Sequence, residues 1–382
     1  MGLPSLVTLM AVVLGLLALL GVALAAFARA FRLRVERRFP PLGRMVDVGG
    51  YRLHVVETGG ADGSGDGPPV LFLHGASGNL RDQLNGPHSR LHTHPHTRPH
   101  ASARIPPGWR ALFVDRPGHG HSERGPRSNA TPRGQADAVA AMLDALGIGQ
   151  VVAVGHSYGG AVAAALALHH PARVAGLVLV SPVTHAWPGG RTLWYYALGA
   201  TPVLGPLFAR TLFVPAGLRR TRCAVAGVFS PQPVPQGYAE RAAVALALRP
   251  ASFLANSADL TALHAAVTAD APHYGAIAAP TAIVAGASDR IVWTDIHARA
   301  IARQVAGARL VVVPDLGHKP DWCAPDLVRG AIAAVRSADT LAAWRPAMPV
   351  PPTLDAPPES IEPGIETGPE EAPAGSPSTA SA

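Results

Sequence analysis

Val151 to Gly160 reads VVAVGHSYGG, and this stretch decides the fold. Four mostly β-branched residues run into Gly-His-Ser-Tyr-Gly, and the small-residue run AVAAALALHH follows from Ala161. A strand that stops at G-x-S-x-G and turns at once into a helix presents its serine, here Ser157, at the tip of a strained turn. Gly155 and Gly159 suit such a turn, because a side chain at either position would collide with backbone passing close by.

Outward from this point the chain alternates strands and helices. Upstream, Tyr51–Glu57 (YRLHVVE) alternates like a half-buried strand, and a Gly/Asp-rich loop leads to a short apolar strand over Val70–Leu73. That strand ends in His74-Gly75-Ala76-Ser77-Gly78, a turn able to aim backbone N–H groups into a site. Trp109–Asp115 is the next strand, closed by Arg116-Pro117-Gly118-His119-Gly120-His121-Ser122, and a helix follows from about Thr131 to Leu146. Downstream of the opening stretch come a strand over Leu177–Val180, another over Thr281–Ala285, a helix over Asp295–Val305, a last strand over Leu310–Val313 and a closing helix over Asp326–Ala338. This rhythm predicts an α/β fold with a mostly parallel sheet covered by helices on both faces. From about 182 to 270 the rhythm breaks. The stretch holds Trp187, Trp194, Tyr195, Tyr196, Phe208, Phe213 and Phe229 among helical patches and no run with the pattern of a core strand, so it reads as a helical cap around an apolar pocket.

Composition narrows the functional classes. The chain has 382 residues with 48% hydrophobic content, enough for a sizeable core. Its formal net charge of +7 comes almost entirely from arginine, Lys319 being the only lysine. The arginines are scattered apart from one N-terminal cluster and no nucleic-acid module is present, so a nucleic-acid partner is not expected. Cys223 and Cys323 allow one disulfide at most and have no C-x-x-C partner for a metal.

The first 30 residues form a separate segment. Leu6–Ala28 carries no charge and is long enough for a bilayer core of about 30 Å. Arg29, Arg32, Arg34, Arg37 and Arg38 follow it and no Lys or Arg precedes it, so the positive-inside rule predicts a single-pass anchor with the main domain in the cytoplasm. The competing reading is a signal peptide cleaved near Ala23-Leu24-Ala25, which would make the domain secreted or periplasmic; the lack of a positive n-region in residues 1–5 counts against it. At the other end, residues 346–382 are Pro-rich and acidic with no basic residue, the composition of a disordered tail. The main domain is expected over 45–344.

A serine hydroxyl is a poor nucleophile unless a base contacts it and a third group orients that base. Ser157, Asp289 and His318 each fall just past a predicted strand, in the order Ser, Asp, His, and in a parallel sheet the loops beyond the strands' carboxyl ends converge on one edge. Asp295 and Asp315 lie near Asp289, but the first is predicted to open a helix and the second sits close to His318 itself. Over roughly residues 45–340 the chain resembles the α/β-hydrolase family. The landmarks are the His74-Gly75 turn, Asp115-Arg116-Pro117-Gly118-His119-Gly120, the serine turn, Gly286-Ala287-Ser288-Asp289 and Gly317-His318. The resemblance implies Ser157 as nucleophile, His318 as general base and then acid, Asp289 as its orienting carboxylate, and the backbone N–H groups of Ala76 and Tyr158 as the oxyanion hole. It implies no metal and no cofactor. A nucleophilic Asp would have suggested epoxide hydrolase or dehalogenase chemistry, and Ser157 argues against both. His74, His119, His121 and His156 are expected to be structural.

The expected substrate is a small-molecule acyl compound, largely apolar, with the membrane as a second partner through the N-terminal helix. Other chemistry at the same residues (C–C hydrolysis, acyl transfer, perhydrolysis) and a catalytically silent binding module are the alternatives. One stretch departs from the family pattern: His88, His92, His94, His96 and His100 interleave with prolines, and without a carboxylate or cysteine partner they read as a low-complexity loop rather than a metal site.

Overall fold

The computed structural model describes residues 5–59, 67–87, 109–190 and 192–348. The histidine-rich segment and all but the first residues of the acidic tail lie outside the described residues.

A long helix α1 (Leu6–Arg38) leads the chain, its first turn capped by the Ser5 hydroxyl. An eight-stranded sheet follows, built from β1 (Arg44–Asp47), β2 (Arg52–Thr58), β3 (Val70–Leu73), β4 (Ala111–Val114), β5 (Val151–His156), β6 (Val174–Val180), β7 (Thr281–Gly286) and β8 (Arg309–Val313). The spatial order is β1-β2-β4-β3-β5-β6-β7-β8. The pairs β1/β2 and β2/β4 are antiparallel and every other pair is parallel.

The parallel strands are buried on both faces, which is why they read as continuous apolar runs. Leu71, Leu73, Ala153, Leu177 and Leu179 face one core with α3 (Pro132–Ala145) and α4 (Tyr158–His169). Val70, Phe72, Val152, Val154, Val178 and Val180 face the other. There Leu80 of α2 (Leu80–Leu84) and the late helices cover the sheet. Helix α4 is buried along nearly its whole length, and its alanines let it lie close to β5 and β6.

Between β6 and β7 the described residues form helices and no strand: α5 (Trp194–Gly199), α6 (Leu204–Arg210), α7 (Phe213–Phe229), α8 (Tyr238–Arg241) and α9 (Pro250–Asp270). Several boundaries differ from the sequence reading. The helix expected over 295–305 is α10 (Ala298–Gln304), which starts after a turn in which Asp295 pairs with Arg299. The closing helix expected over 326–338 is two helices, α12 (Pro325–Ala334) and α13 (Ala338–Ala343), because Ser337 builds a capping box with Thr340 and restarts the chain. A short α11 (Pro320–Cys323) precedes them. Strand β1 and its antiparallel pairing were not anticipated, since four residues with mixed burial carry little periodic signal. Both cysteines are free.

Candidate active site

The site is assembled where β3, β5, β7 and β8 end. Ser157 adopts φ 54°, ψ −118°, between the end of β5 and the first turn of α4. A non-glycine residue at positive φ is strained, and it persists only where the surroundings over-determine it. Here they do. The Ser157 N–H donates to Val180 O at 3.0 Å, while the Ser157 carbonyl accepts from Gly160 N and Val183 N. A Cβ on Gly155 would lie 2.2 Å from Gly159 O, and one on Gly159 would lie 2.2 Å from Leu73 O. Both glycines are therefore dictated by backbone crossing at van der Waals distance.

His318 follows β8, and its Nδ1–H donates to Asp289 Oδ2 at 2.7 Å. The other Asp289 oxygen accepts from the N–H groups of Ile291 and Val292 at 2.8 and 2.9 Å. Burial pushes the Asp289 carboxyl up, but the His318 ring and the two backbone donors outweigh it and hold the group below its ordinary range. Neither other nearby carboxylate competes: Asp295 pairs with Arg299, and Asp315 is exposed on a turn at φ 54°. Ser157 and His318 line one cavity. Among the described residues, neither the Ser157 hydroxyl nor His318 Nε2 has a hydrogen-bond partner in the protein. Nucleophile–base contacts are commonly long without substrate. The N–H groups of Ala76 and Tyr158 are likewise unengaged among the described residues, and both residues line the cavity. The constellation expected from the sequence is thus brought to one place: a hydroxyl, an imidazole tied to a carboxylate, and two free backbone donors. Such a set can accept a proton from a hydroxyl and stabilise negative charge on a carbonyl oxygen.

The histidines expected to be structural are placed so. His74 Nδ1–H donates to Gly75 O at 2.9 Å and its Nε2 accepts from Arg116 N at 3.0 Å. His119 is buried beside Arg116, and burial followed by that arginine's charge holds its ring well below the usual histidine range. His121 bonds the Phe39 carbonyl. His156 Nε2–H donates to the carbonyl of His318 at 2.9 Å, and burial, helped by the charge of Lys319, lowers its pKa to about 4.

Two features were not found in the sequence. Arg116, fully buried, donates from Nε to His74 O at 2.9 Å and from Nη2 to Gly75 O at 3.0 Å, with Asp259 of α9 accepting from Nη1 at 2.9 Å. Its guanidinium also packs 4.4 Å from the Tyr158 ring centroid. The backbone around Ala76 is therefore held from behind by one cation. The second feature is a buried cluster behind His318. Lys319 Nζ donates to Asp82 Oδ2 at 2.9 Å and to Asp321 Oδ2 at 3.0 Å, while Tyr238 and Trp322 donate to Asp82 Oδ1. Burial alone would lower the lysine, but Asp321 and Asp82 more than compensate and keep it charged. Asp82, His156 and Asp321 are close enough to share an ion, yet the cation between the two carboxylates is the Lys319 ammonium. The one sequence signal was that the chain's sole lysine directly follows His318.

The cavity holds about 940 Å³. Its roof comes from the helical stretch: Trp187, Leu193, Trp194, Tyr195, Tyr196, Phe208, Phe213 and Phe253 line it. Phe213 stacks on Phe253 with ring centroids 3.7 Å apart. Phe229 instead packs with Tyr238 and Trp322 in a separate buried cluster.

A family model described as alpha/beta hydrolase fold matches residues 68–322. Among curated relatives, the chain is 32% identical over 167 residues to a 2-hydroxymuconate semialdehyde hydrolase of Pseudomonas putida, covering 43% of this chain and 53% of that protein. It is 29% identical over 281 residues to a 2-hydroxy-6-oxononadienedioate/2-hydroxy-6-oxononatrienedioate hydrolase of Klebsiella pneumoniae, covering 72% of this chain and 88% of that one. The chain spans about half the length, or less, of the first curated relatives it matches. Among solved structures, an enol-lactonase from Burkholderia xenovorans superposes with a TM-score of 0.59 at 20% identity, over 78% of this chain and 100% of that one, a likeness of fold.

Proposed function

We propose that this chain, which belongs to the alpha/beta hydrolase fold family, is a membrane-anchored serine hydrolase that cleaves an ester or related acyl substrate through an acyl-Ser157 intermediate. The observation that carries this reading is the 2.7 Å bond from His318 Nδ1–H to Asp289 in a histidine that lines the same cavity as Ser157, which leaves Nε2 for the base's role.

In the proposed cycle His318 Nε2 takes the Ser157 proton as Oγ bonds to the acyl carbon. The carbonyl π pair moves onto oxygen, where the N–H groups of Ala76 and Tyr158 stabilise it; one such donor is typically worth about 3 kcal/mol. The tetrahedral species collapses, the C–O bond to the leaving group breaks, and His318 returns the proton to the departing alkoxide. Water then repeats the sequence on the acyl-Ser157 ester, releasing the carboxylic acid and restoring the hydroxyl. No step calls for a cofactor. Leu6–Arg38 serves as a single-pass anchor with the catalytic domain on the cytoplasmic side.

A second reading, C–C bond hydrolysis at the same residues, is favoured by one observation: the Pseudomonas putida relative is a 2-hydroxymuconate semialdehyde hydrolase, and that compound contains no ester. A fluorophosphonate probe and a panel of esters of graded acyl length, applied to carbonate-washed membranes carrying wild type and Ser157→Ala, separate these readings. Wild type should stay in the washed membranes, label, and hydrolyse esters, with activity falling about 10⁴-fold or more in the alanine variant. No labelling of folded wild type, or equal labelling of Ser157→Ala, rejects the serine hydrolase. Labelling without ester turnover favours C–C chemistry. Labelling of intact cells by a membrane-impermeant probe would place the domain outside.

A further inference from the structure

The cap carries an apolar surface where a soluble helix would be polar. On α6, Gly205 and Ala209 are buried against the cap, while Leu204 and Leu207 are 57% and 60% exposed, and Val203 just before them is 75% exposed. Apolar faces of this kind mark an interaction surface. Next to it, Leu193 and Trp194 are both exposed and cavity-lining, so the cavity opens at this face.

What covers the face is indicated by α1. The C-terminal turns of α1 dock on the cap: Val35 and Phe39 pack with Ala243 and Leu246, Arg38 pairs with Glu240, and Arg249 pairs with Glu36. Helix α1 also packs against α6 and α7, the helices that contribute Phe208 and Phe213 to the cavity. Its N-terminal half stands clear, and the most apolar 18-residue window is wholly unburied. A segment of that length and composition is satisfied by a bilayer. The surface at its base then lies in the headgroup layer, where exposed Arg32, Arg34, Arg210, Arg219 and Arg220 match anionic lipids. An exposed tryptophan at that level, Trp194, suits the same layer.

We infer that the α5–α6 face seats in an anionic leaflet and that the cavity draws its substrate sideways from the lipid: a long-chain acyl amphiphile whose tail follows the Phe208–Phe213–Phe253 wall to Ser157. This rests on the anchored acyl-hydrolase reading and adds a substrate class and an entry route.

The test uses the full chain in vesicles of phosphatidylcholine and phosphatidylglycerol, with 4-methylumbelliferyl oleate dissolved in the bilayer and 4-methylumbelliferyl acetate in water. Leu204→Glu with Leu207→Glu alters the docking face without touching the cavity lining. Oleate hydrolysis should fall about tenfold while acetate hydrolysis is unchanged. Unchanged oleate hydrolysis, or an equal loss on both esters by a variant with wild-type circular dichroism, overturns the inference. Brominated phospholipid provides a readout independent of catalysis. Quenching of tryptophan fluorescence should be strong in wild type and weakened by Trp194→Phe and by the Leu204/Leu207 variant; absence of quenching in wild type overturns the docking. Should wild type hydrolyse neither ester, the acyl-hydrolase reading fails, and quenching still decides where the face sits.

Discussion

The floor of the cavity and its roof are built on opposite principles. The floor is polar, buried and bonded: Arg116 holds two carbonyls of the turn before Ala76, Asp289 accepts three hydrogen bonds, and Lys319 is enclosed by two carboxylates. The roof is aromatic and held by packing, with rings meeting at varied angles and an outer surface that remains apolar. Hydrogen bonds and ion pairs fix atoms to a few tenths of an ångström, as positioned chemistry requires. Apolar contacts are non-directional, so the roof can be reshaped for a different occupant without disturbing the floor.

The difference can be broken most forcefully at Arg116. Replacing it with Met leaves Asp259 buried with one of its two arginines gone and removes donors from His74 O and Gly75 O. A loss of about 3–5 kcal/mol in stability is expected, read by chemical denaturation of the full chain in detergent. A loss below 1 kcal/mol would mean that packing, not the ion pair, holds the floor.

The contrast also bears on what the sequence makes legible. Ser157, Asp289 and His318 stand out because each terminates an apolar run beside its own short motif, so a local pattern locates them. Arg116 was visible only as part of the Asp115–Gly120 turn. Its partners Gln135 and Asp259 lie 19 and 143 residues away, and nothing local announces the pairing. The bond between Lys319 and Asp82 spans 237 residues and was equally hidden. In the cap the aromatic content was evident, but which rings line the cavity depends on how short helices cross. Thus Phe213 lines it and Phe229 does not, although they bracket the same helix.

A pH experiment sharpens the floor side. His156 is held neutral in the fold with a pKa of about 4, against about 6.5 in an unfolded chain. Between these values the unfolded state binds more protons, so stability falls as pH drops through this window. His156 should account for about 2 kcal/mol of the loss between roughly pH 7 and pH 5. In His156→Gln, thermal unfolding over that interval should show a shallower acid dependence; an unchanged one would assign the loss to other groups.

The smallest expected effect tests the roof. Phe213→Ala opens the wall beside Phe253 and should shift kcat/KM between long- and short-chain esters by about tenfold while leaving the best rate intact. A drop on every ester in parallel would show that roof and floor are coupled more tightly than their construction suggests.

They are coupled through α9 as well as through the Tyr238–Asp82 bond. Helix α9 closes the cap, yet it supplies Asp259 to Arg116 and Asn256 Oδ1, which accepts from Ser77 N at 2.7 Å. In modular terms α9 belongs to the chassis. A recombination junction placed ahead of Pro250 exchanges the roof before α9, Phe208 and Phe213 included, and keeps Phe253 and the brace under the oxyanion turn, whereas a junction after Asp270 carries that brace away with the insert. The chain can therefore trade one specificity for another through a splice on the near side of α9, and the far side is closed to it.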